Sequence, residues 1–232
     1  MAIRSTNAHL SSFALRRTSR SVRAVAGHPV AARAIDLIGA VLALLVTFPV
    51  MVIAAIAVRT TSKGPVLFRQ ERVGRGGDRF SMLKFRTMHT GADAALHRRY
   101  VASLIRGQAR EQGDAGLYKL VDDERVTSVG RALRRLSIDE LPQLLNVVMG
   151  HMRLVGPRPA LQFEVDLYEE WQLRRLSVKP GMTGLWQVSG RSRLTYEDMV
   201  RLDLRYIDSW SPLQDIRILL RTVPAVVRRE AS

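Results

Sequence analysis

The stretch that most constrains this chain is an uncharged apolar segment of 22 residues that runs from Leu37 to Val58. In a straight helix with a rise of about 1.5 Å per residue, it is just long enough to cross the ~30 Å hydrocarbon core of a bilayer. Pro49 stands near its middle, lacks the N–H that would bond the Leu45 carbonyl, and predicts a sharp bend. Thr47 is placed to cover part of the freed backbone. We therefore predict a membrane helix–break–helix over residues 33–60, with the break at Thr47 and Pro49.

Positive charge flanks this segment on both sides. Arg33 and the arginines of the preceding tail come before it, and Arg59 and Lys63 come after it. Because positive residues mark the cytoplasmic side of a membrane segment, both flanks qualify for the same side. The pattern favours a re-entrant helix with both ends in the cytoplasm over an ordinary kinked span. A cleaved signal peptide is disfavoured by the length of the segment and by the lack of a small-residue cleavage site.

Composition adds a preference for anionic partners. The 232 residues carry 36 Lys and Arg against 21 Asp and Glu, a net charge of +15, and no cysteine. Such charge suits nucleic acid, phosphorylated small molecules or acidic lipids, whereas disulfides and thiolate metal sites are excluded. Residues 1–32 are rich in Ser, Arg and Ala, contain no acid, and predict a mobile basic tail, with a transit peptide as the alternative. We predict that residues 61–232 form one globular domain.

A second dense motif occupies residues 134–159. Asp139 and Glu140 are adjacent at the head of an apolar run, and Ser137 and Glu140 have the three-residue spacing of a capping box. Both carboxylates are therefore predicted in the first turn of a helix, where unpaired backbone N–H groups stabilise negative charge. Acids held among arginines suit phosphate chemistry, since one carboxylate can attack phosphorus while the other binds a divalent metal; a capped surface helix is the plain alternative. The arginines around the pair are Arg131, Arg134, Arg135, Arg153 and Arg158.

Upstream of that motif the sequence predicts a hairpin. Val66–Arg69 and Phe80–Phe85 have the composition of strands and enclose a glycine-rich loop. The alternation along the second strand places Lys84 and Arg86 on one face, where paired cations either bind phosphate or are solvated. The acidic cluster Asp122–Glu124 is a weaker candidate for metal ligands, since acidic loop residues are more often solvated.

The C-terminal part of the chain is predicted to be largely helical. Glu164–Leu176 has the pattern of an amphipathic helix. Residues 179–191 are dense in Gly and Pro and end at Arg191, so this loop is either a structural crossover or a ligand-binding loop. Tyr196–Trp210 and Leu213–Arg229 predict two more helices, whose apolar residues suit a membrane interface and the core equally well.

Taken together, these motifs resemble a known family. Downstream of the proline-broken segment come, in order, KFRTM, DDERVTSVGRALRRLSIDELPQLLNVVMGHMRLVGPRP and KPGMTGLWQVSGR. They resemble the small form of the bacterial monotopic phosphoglycosyl transferases, or bacterial sugar transferases, over residues from about Arg33 to about Arg229. The resemblance implies an α/β, mostly helical monotopic protein of the bacterial inner membrane. It further implies a re-entrant membrane helix, a catalytic domain on the cytoplasmic face and interfacial amphipathic helices.

The resemblance also implies a reaction. Members transfer a sugar phosphate from a UDP-sugar to polyprenyl phosphate, usually undecaprenyl phosphate, as the initiating membrane step of exopolysaccharide or other glycoconjugate synthesis, with Mg²⁺ as cofactor. Matched to this sequence, Asp139 looks like the nucleophile that forms a covalent phosphosugar intermediate, and Glu140 looks like the metal ligand. Arg134, Arg158 and Arg191 match family arginines that line the phosphate and nucleotide site.

One departure from the family and two rival functions remain. Some small members bend the membrane helix at Ser-Pro, whereas this chain has Phe48-Pro49, which leaves the hydroxyl role to Thr47. The rivals are a non-catalytic scaffold of a glycan-assembly complex and a membrane-tethered nucleic-acid-binding protein. Against the second, the cations are dispersed and no stretch interleaves aromatic with basic residues, so nucleic acid is not an expected partner. The expected partners are a UDP-sugar, polyprenyl phosphate and anionic membrane lipids; the identity of the sugar and the oligomeric state are open, with a homodimer as one candidate.

Overall fold

The computed structural model describes residues 29–91, 95–107, 123–190 and 194–227. The mostly helical α/β class is confirmed, since two small two-stranded sheets lie among helices in these residues. The predicted basic tail lies outside the described residues as far as residue 28, and Arg191 and Asp122 also lie outside them.

The apolar segment forms one helix, α1, from Pro29 to Thr61, and Pro49 lies inside it without ending it. No non-helical residue separates two helices at Thr47 and Pro49, and the bend that the sequence predicts there stays a prediction. The Thr47 hydroxyl donates to the Ala43 carbonyl at 2.7 Å and does not cover the Leu45 carbonyl. A proline removes one intrahelical hydrogen bond, and a helix tolerates that loss where packing holds both halves in place.

The two faces of α1 have different surroundings. One face packs on the rest of the protein through Ala32, Ala40, Ala54 and Val58, each at most 9 % exposed. The buried residues lie in two groups near the two ends of the helix, and no residue from 41 to 53 is buried. The other face presents large apolar side chains to solvent: Ile38, Val41, Leu42, Leu45, Val46, Phe48, Val52, Ile53 and Ile56.

Among the described residues, α1 is the one helix that is long and apolar enough to cross a membrane. Only 11 % of its most apolar window is buried. The core helix of a soluble protein would be mostly buried, so the exposed apolar face of α1 requires a different environment.

The predicted hairpin is confirmed and follows α1 directly. Strand β1 (Leu67–Val73) pairs with β2 (Arg79–Phe85) in an antiparallel register that sets Phe68 opposite Lys84. The turn between them contains Gly76 with φ 72° and Gly77 with φ 92°, conformations that glycine adopts without steric cost. The first strand is longer than predicted because it continues to Val73, which also bridges to Ala160.

In the described residues between β2 and β3, the chain forms three helices and a short turn. Helix α2 spans Ala95–Ile105, and α3 spans Ser128–Arg135. A 3₁₀ turn at Ile138–Glu140 leads to α4, which spans Gln143–Val148. Thr127 caps α3, since its side chain accepts a hydrogen bond from the Gly130 N–H at 2.9 Å.

A second small sheet crosses the middle of the domain. Strand β3 (Arg153–Val155) pairs in parallel with β4 (Gly181–Thr183). A Cβ at Gly181 would collide with the backbone of Gly156, so this part of the glycine-rich loop is a structural crossover.

The connection between the two strands differs from the predicted helix over Glu164–Leu176. It consists of three short pieces because a capping box at Glu169 restarts the helix and because Glu164 is fully buried. A buried charge in the first piece breaks the amphipathic pattern on which the prediction depended. The pieces are α5 (Gln162–Val165), α6 (Glu170–Leu173) and a 3₁₀ turn at Arg174–Ser177.

The chain ends in helices α7 (Leu185–Ser189), α8 (Tyr196–Asp208) and α9 (Pro212–Val227). Core packing proves to be the correct account of α8, because seven of its side chains are buried: Tyr196, Met199, Val200, Asp203, Leu204, Tyr206 and Ile207. Helix α9 buries Ile218 but keeps an exposed apolar stripe, as an interfacial helix would: Leu213, Ile216, Leu220 and Val223.

The core consists of two clusters, and both include α1. The larger joins Ala32 and Ala40 of α1 to residues of α4, β3, α8 and α9. The smaller joins Ala54 and Val58 of α1 to Phe85 and Leu133. Both halves of the apolar helix therefore pack on the same domain.

Candidate active site

The acidic pair lies in the first turn of a short 3₁₀ helix between α3 and α4, so the predicted position in a first helical turn is confirmed, although this helix ends before α4 begins. Ser137 adopts the left-handed conformation (φ 56°, ψ 18°) and makes no capping hydrogen bond, so the predicted capping box is wrong. A non-glycine residue with positive φ is uncommon and is concentrated at functional sites. Pro142, which has no N–H to place inside a helix, precedes Gln143 and sets the start of α4.

The two carboxylates of the pair have different exposures. Asp139 is buried, at 5 % exposure, whereas the Glu140 side chain is 38 % exposed. Lys84 of β2 donates from Nζ to Glu140 Oε1 at 2.9 Å. The structure thus brings together three of the residues predicted for the site, with one carboxylate shielded from water and one held by a cation.

Asn146 connects this turn to the hairpin, and sequence reasoning missed it. Its Oδ1 accepts from the Leu83 N–H at 2.9 Å, and its Nδ2 donates to the Ser81 carbonyl at 2.8 Å. Asn146 is fully buried, so these bonds fix α4 against the strand that carries Lys84. The available signal was an amide flanked on both sides by apolar residues, Leu145 and Val147.

Arg134 reaches the same strand end from α3. Its Nε donates to Thr87 Oγ1 at 2.8 Å, and the Thr127 N–H donates to the Thr87 carbonyl at 3.0 Å. Gly130 allows this close approach, because a Cβ there would collide with the Thr87 carbonyl oxygen. The guanidinium of Arg134 is therefore positioned beside the segment that follows Lys84.

One member of the acidic cluster before α3, Asp123, forms an ion pair with an arginine. Arg125 donates from Nε and Nη2 to the two carboxylate oxygens of Asp123, each at 2.7 Å. These hydrogen bonds lower the pKa of Asp123, and the charge of Arg134 lowers it further. Asp123 is therefore held as an anion close to Arg134.

Arg86 has different partners from Lys84, although the sequence predicted both for phosphate. Its Nη1 donates to the Lys63 carbonyl at 2.8 Å, and its Nη2 donates to the Ser62 carbonyl at 2.8 Å. Arg86 is only 6 % exposed and lies past the end of β2. These carbonyls follow the last turn of α1, so Arg86 acts as a C-terminal cap that ties α1 to the domain.

Arg158 belongs to a buried ionic group behind the hairpin. Its Nη1 lies 3.5 Å from Glu164 Oε1, and the neighbouring Arg175 pairs with Asp203 at 2.8 Å. Burial raises the pKa of Asp203 to about 6, while the charge of Arg175 opposes that shift. A cavity of about 10 Å³ lined by Arg158 and Tyr168 has room for a water at most.

Arg153 joins α1 to the C-terminal helices. It donates from Nε to Asp36 Oδ2 at 3.0 Å and from Nη2 to Asp215 Oδ2 at 2.6 Å. Tyr206 donates to Asp215 Oδ1 at 2.7 Å, and the Leu154 N–H donates to Asp36 Oδ1 at 3.0 Å. Burial raises the pKa of Asp215, and Arg153 opposes that shift. The sequence had grouped Arg153 with the acidic pair, whereas its partners make it part of the scaffold.

Among the described residues, few side chains are placed to bind a metal ion. In the ranges that the structure describes, no group of three or more His, Asp or Glu side chains could hold a metal ion. The partly exposed Glu140 still offers a hard oxygen ligand next to Asp139. Mg²⁺ commonly binds through one or two carboxylates while substrate phosphates and water complete its coordination.

Comparison with known proteins gives a consistent answer. The family model for bacterial sugar transferases matches residues 27–229. Exopolysaccharide production protein ExoY of Rhizobium meliloti (strain 1021) is 39 % identical over 227 residues, which cover 98 % of both chains. UDP-glucose:undecaprenyl-phosphate glucose-1-phosphate transferase of Caulobacter vibrioides is 41 % identical over 203 residues, which cover 84 % of this chain and 69 % of that protein. The chain therefore belongs to the bacterial sugar transferase family and is an enzyme of the phosphoglycosyl transferase type.

Proposed function

We propose that the protein transfers a sugar phosphate from a UDP-sugar to polyprenyl phosphate through a covalent intermediate on Asp139. The observation that carries this proposal is the pairing of a buried Asp139 with a partly exposed Glu140 that Lys84 holds at 2.9 Å. The similarity to the Caulobacter vibrioides enzyme, whose name specifies UDP-glucose and undecaprenyl phosphate, supports the substrate classes. Membership in an enzyme family disfavours the scaffold and the nucleic-acid-binding rival.

The reaction has two displacement steps at the β-phosphorus. In the first, a carboxylate oxygen of Asp139 forms a bond to phosphorus, and the bond to the bridging oxygen breaks, so that UMP leaves. In the second, an oxygen of the lipid phosphate attacks the same phosphorus and the bond to Asp139 breaks, which yields polyprenyl diphosphate sugar. Shielding from water favours the first step, since a weakly hydrated carboxylate is a better nucleophile.

The cations around the turn have separate tasks in this proposal. Lys84 fixes the Glu140 carboxylate by a charge-assisted hydrogen bond. Arg134, held by Thr87, is placed to bind a phosphate oxygen and to stabilise charge that develops during displacement. We also assign Mg²⁺ to Glu140, where a bound ion would neutralise charge on the diphosphate. Arg158 and Arg191 remain proposed nucleotide contacts.

We further propose that α1 bends at Pro49 in the bilayer, where the proline removes one intrahelical hydrogen bond, so that α1 enters only one leaflet and returns to the cytoplasmic side. Asp36, near the start of α1, accepts from Arg153, and the carbonyls after its end accept from Arg86. One domain therefore holds both ends of the helix, which supports the arrangement that the flanking charges favour. The exposed apolar face of α1 then contacts lipid.

Exchange of labelled UMP tests the proposed reaction. Wild-type protein with Mg²⁺ and a panel of UDP-sugars should incorporate label into one UDP-sugar without any lipid, because the first step is reversible. Asp139→Asn should reduce both exchange and turnover by more than about 10³-fold, since an amide is a poor nucleophile. As a control, Asp208→Asn removes a carboxylate that pairs with Arg174, with side chains 48 % and 29 % exposed, and should leave both rates unchanged. Exchange that requires lipid would instead indicate direct attack in a ternary complex.

Cysteine labelling tests the membrane arrangement separately. The chain has no cysteine, so Ser21→Cys in the tail and Ser209→Cys in the domain each provide a single label. With a membrane-impermeant thiol reagent, both positions should be protected in intact cells and should react after lysis. Reaction of the Ser21→Cys variant in intact cells would show that α1 spans the membrane.

A further inference from the structure

A second cluster of cations lies at the opposite end of α4 from the acidic pair. Arg33 of α1 and Lys179 of the loop before β4 lie on either side of Gly150. A Cβ there would be 3.7 Å from Arg33 Nη2 and 3.8 Å from Lys179 Nζ. Burial lowers the pKa of Lys179, and the charges of Arg75 and Arg33 lower it further. Arg75 lies on the hairpin turn at Arg75–Gly77, which packs against the 3₁₀ turn that ends two residues before Lys179. Three segments that are distant in sequence thus bring three positive charges near one another.

No acid forms a salt bridge with this cluster within the described residues, although the charge of Asp36 partly offsets the lowered pKa of Lys179. Arg75 and Lys179 form no salt bridge there, and Asp36, the nearby acid, is bonded to Arg153. Arg33 donates from Nη1 to the Val147 carbonyl at 2.6 Å and from Nη2 to the Val148 carbonyl at 2.7 Å. Those acceptors are neutral, and the guanidinium has further N–H groups for a ligand. Holding like charges together costs free energy, which a bound anion offsets.

Apolar surface begins directly beside these charges. Val30, Arg33, Ala34 and Leu37 lie on one face of the first turns of α1 and form an open, mostly apolar surface there. Val30 is 81 % exposed and Leu37 is 39 % exposed. A ligand that satisfies both parts of this surface must carry an anionic group and a hydrocarbon chain.

We propose that Arg33, Arg75 and Lys179 bind the phosphate headgroup of an anionic phospholipid, with an acyl chain along the exposed apolar face of α1 at Val30 and Leu37. Distance disfavours the lipid substrate as the occupant. Arg33 bonds the last turn of α4, whereas Asp139 precedes that helix by several residues. At about 1.5 Å per residue, the six residues of α4 alone separate the two positions by roughly 9 Å along the helix axis, so the cluster and the acidic pair lie at opposite ends of α4. The inference rests on membrane association of the chain and not on the transfer chemistry.

Native mass spectrometry of the full-length protein in detergent tests this site. Wild-type protein titrated with phosphatidylglycerol should retain one lipid at least tenfold more tightly than phosphatidylcholine. The variant Arg75→Gln/Lys179→Gln should lose at least fivefold in phosphatidylglycerol affinity. The matched control Arg201→Gln/Arg205→Gln removes the same charge from the exposed face of α8 and should bind as the wild type does. Melting temperatures of the three proteins should agree, which separates loss of binding from loss of folding.

Three outcomes would overturn the proposal. The first is equal phosphatidylglycerol affinity in the wild type and in Arg75→Gln/Lys179→Gln. The second is equal binding of phosphatidylcholine and phosphatidylglycerol by the wild type. The third is displacement of phosphatidylglycerol by an equimolar amount of undecaprenyl phosphate, which would make the substrate lipid the occupant. Asp139→Asn should bind phosphatidylglycerol as the wild type does, so failure of the proposed reaction and failure of this site are distinguishable.

Discussion

Two ionic groups in this protein use the same residue types in different surroundings. At the acidic pair, the Lys84 and Glu140 side chains are 23 % and 38 % exposed. In the group around Arg153, the side chains of Arg153, Asp36 and Asp215 are 10 %, 5 % and 1 % exposed. The buried group has all its charges bonded to one another and to neighbouring polar atoms, so it has no capacity left for a substrate. The contrast indicates that exposure and remaining hydrogen-bonding capacity separate charges that bind substrate from charges that hold the fold.

The largest expected effect comes from breaking the buried group. Arg153→Met removes the cation between Asp36 and Asp215 and leaves two buried carboxylates without it. We expect the free energy of unfolding to fall by about 3–5 kcal/mol. Denaturant or thermal unfolding of the purified protein in detergent measures the change.

An exposed arginine provides the control for that prediction. Arg201 pairs with Glu197 one helical turn away, with side chains 67 % and 58 % exposed. Arg201→Met should cost no more than about 0.5 kcal/mol, because solvent screens such pairs. Similar losses for both variants would mean that burial does not distinguish the two kinds of charge.

A smaller loss in the free energy of unfolding is expected for a substitution at Arg86. Arg86→Lys replaces several hydrogen bonds to the carbonyls of Ser62 and Lys63 by those of a single ammonium. We expect a loss of about 1–3 kcal/mol in the free energy of unfolding. The kcat/KM per folded molecule should stay unchanged, because these bonds make Arg86 a cap for α1.

The control at the hairpin is Arg69→Lys, since Arg69 is exposed on β1 and its replacement should change neither quantity. Loss of activity in Arg86→Lys at full stability would contradict the capping role. It would return Arg86 to the phosphate site that the sequence predicted.

The smallest expected change in stability is at Lys84. Lys84→Gln removes the ammonium that holds Glu140, and the free energy of unfolding should change by less than about 1 kcal/mol because the pair is partly exposed. The kcat/KM should nevertheless fall about tenfold, or about 1.4 kcal/mol, with a changed dependence on Mg²⁺. Arg79→Gln, on the same strand and paired with exposed Glu71, is the matched control and should leave kcat/KM unaltered.

Local patterns predicted several features correctly. The apolar run predicted α1, and the glycine-rich loop between two short strands predicted the hairpin, because both signals arise from residues close in sequence. The adjacency of Asp139 and Glu140 predicted a paired acidic site. The same reasoning placed that pair in the first turn of a helix and missed the left-handed Ser137, since a capping spacing cannot report the backbone conformation that the flanking helices impose.

Non-local contacts decided what local patterns could not. Asn146 connects α4 to β2 across more than sixty residues of chain, and no spacing in the sequence predicts these hydrogen bonds. Likewise, the sequence pattern predicts one amphipathic helix over residues 164–176, whereas the burial of Glu164 goes with a division into short helices. Both residues are polar groups whose burial depends on partners that only the folded chain supplies.

Residue order alone predicts an apolar helix with positive flanks, a hairpin and an acidic pair among arginines. The hydrogen-bond partners of each arginine, and therefore its role, follow from the folded structure. Arg134 joins the candidate site, Arg86 caps α1 and Arg153 joins α1 to α9. The physical reason is that a guanidinium binds phosphate, carboxylate and carbonyl oxygens through the same N–H groups. Its role therefore depends on which acceptor the fold brings within about 3 Å, and residue type alone does not specify that.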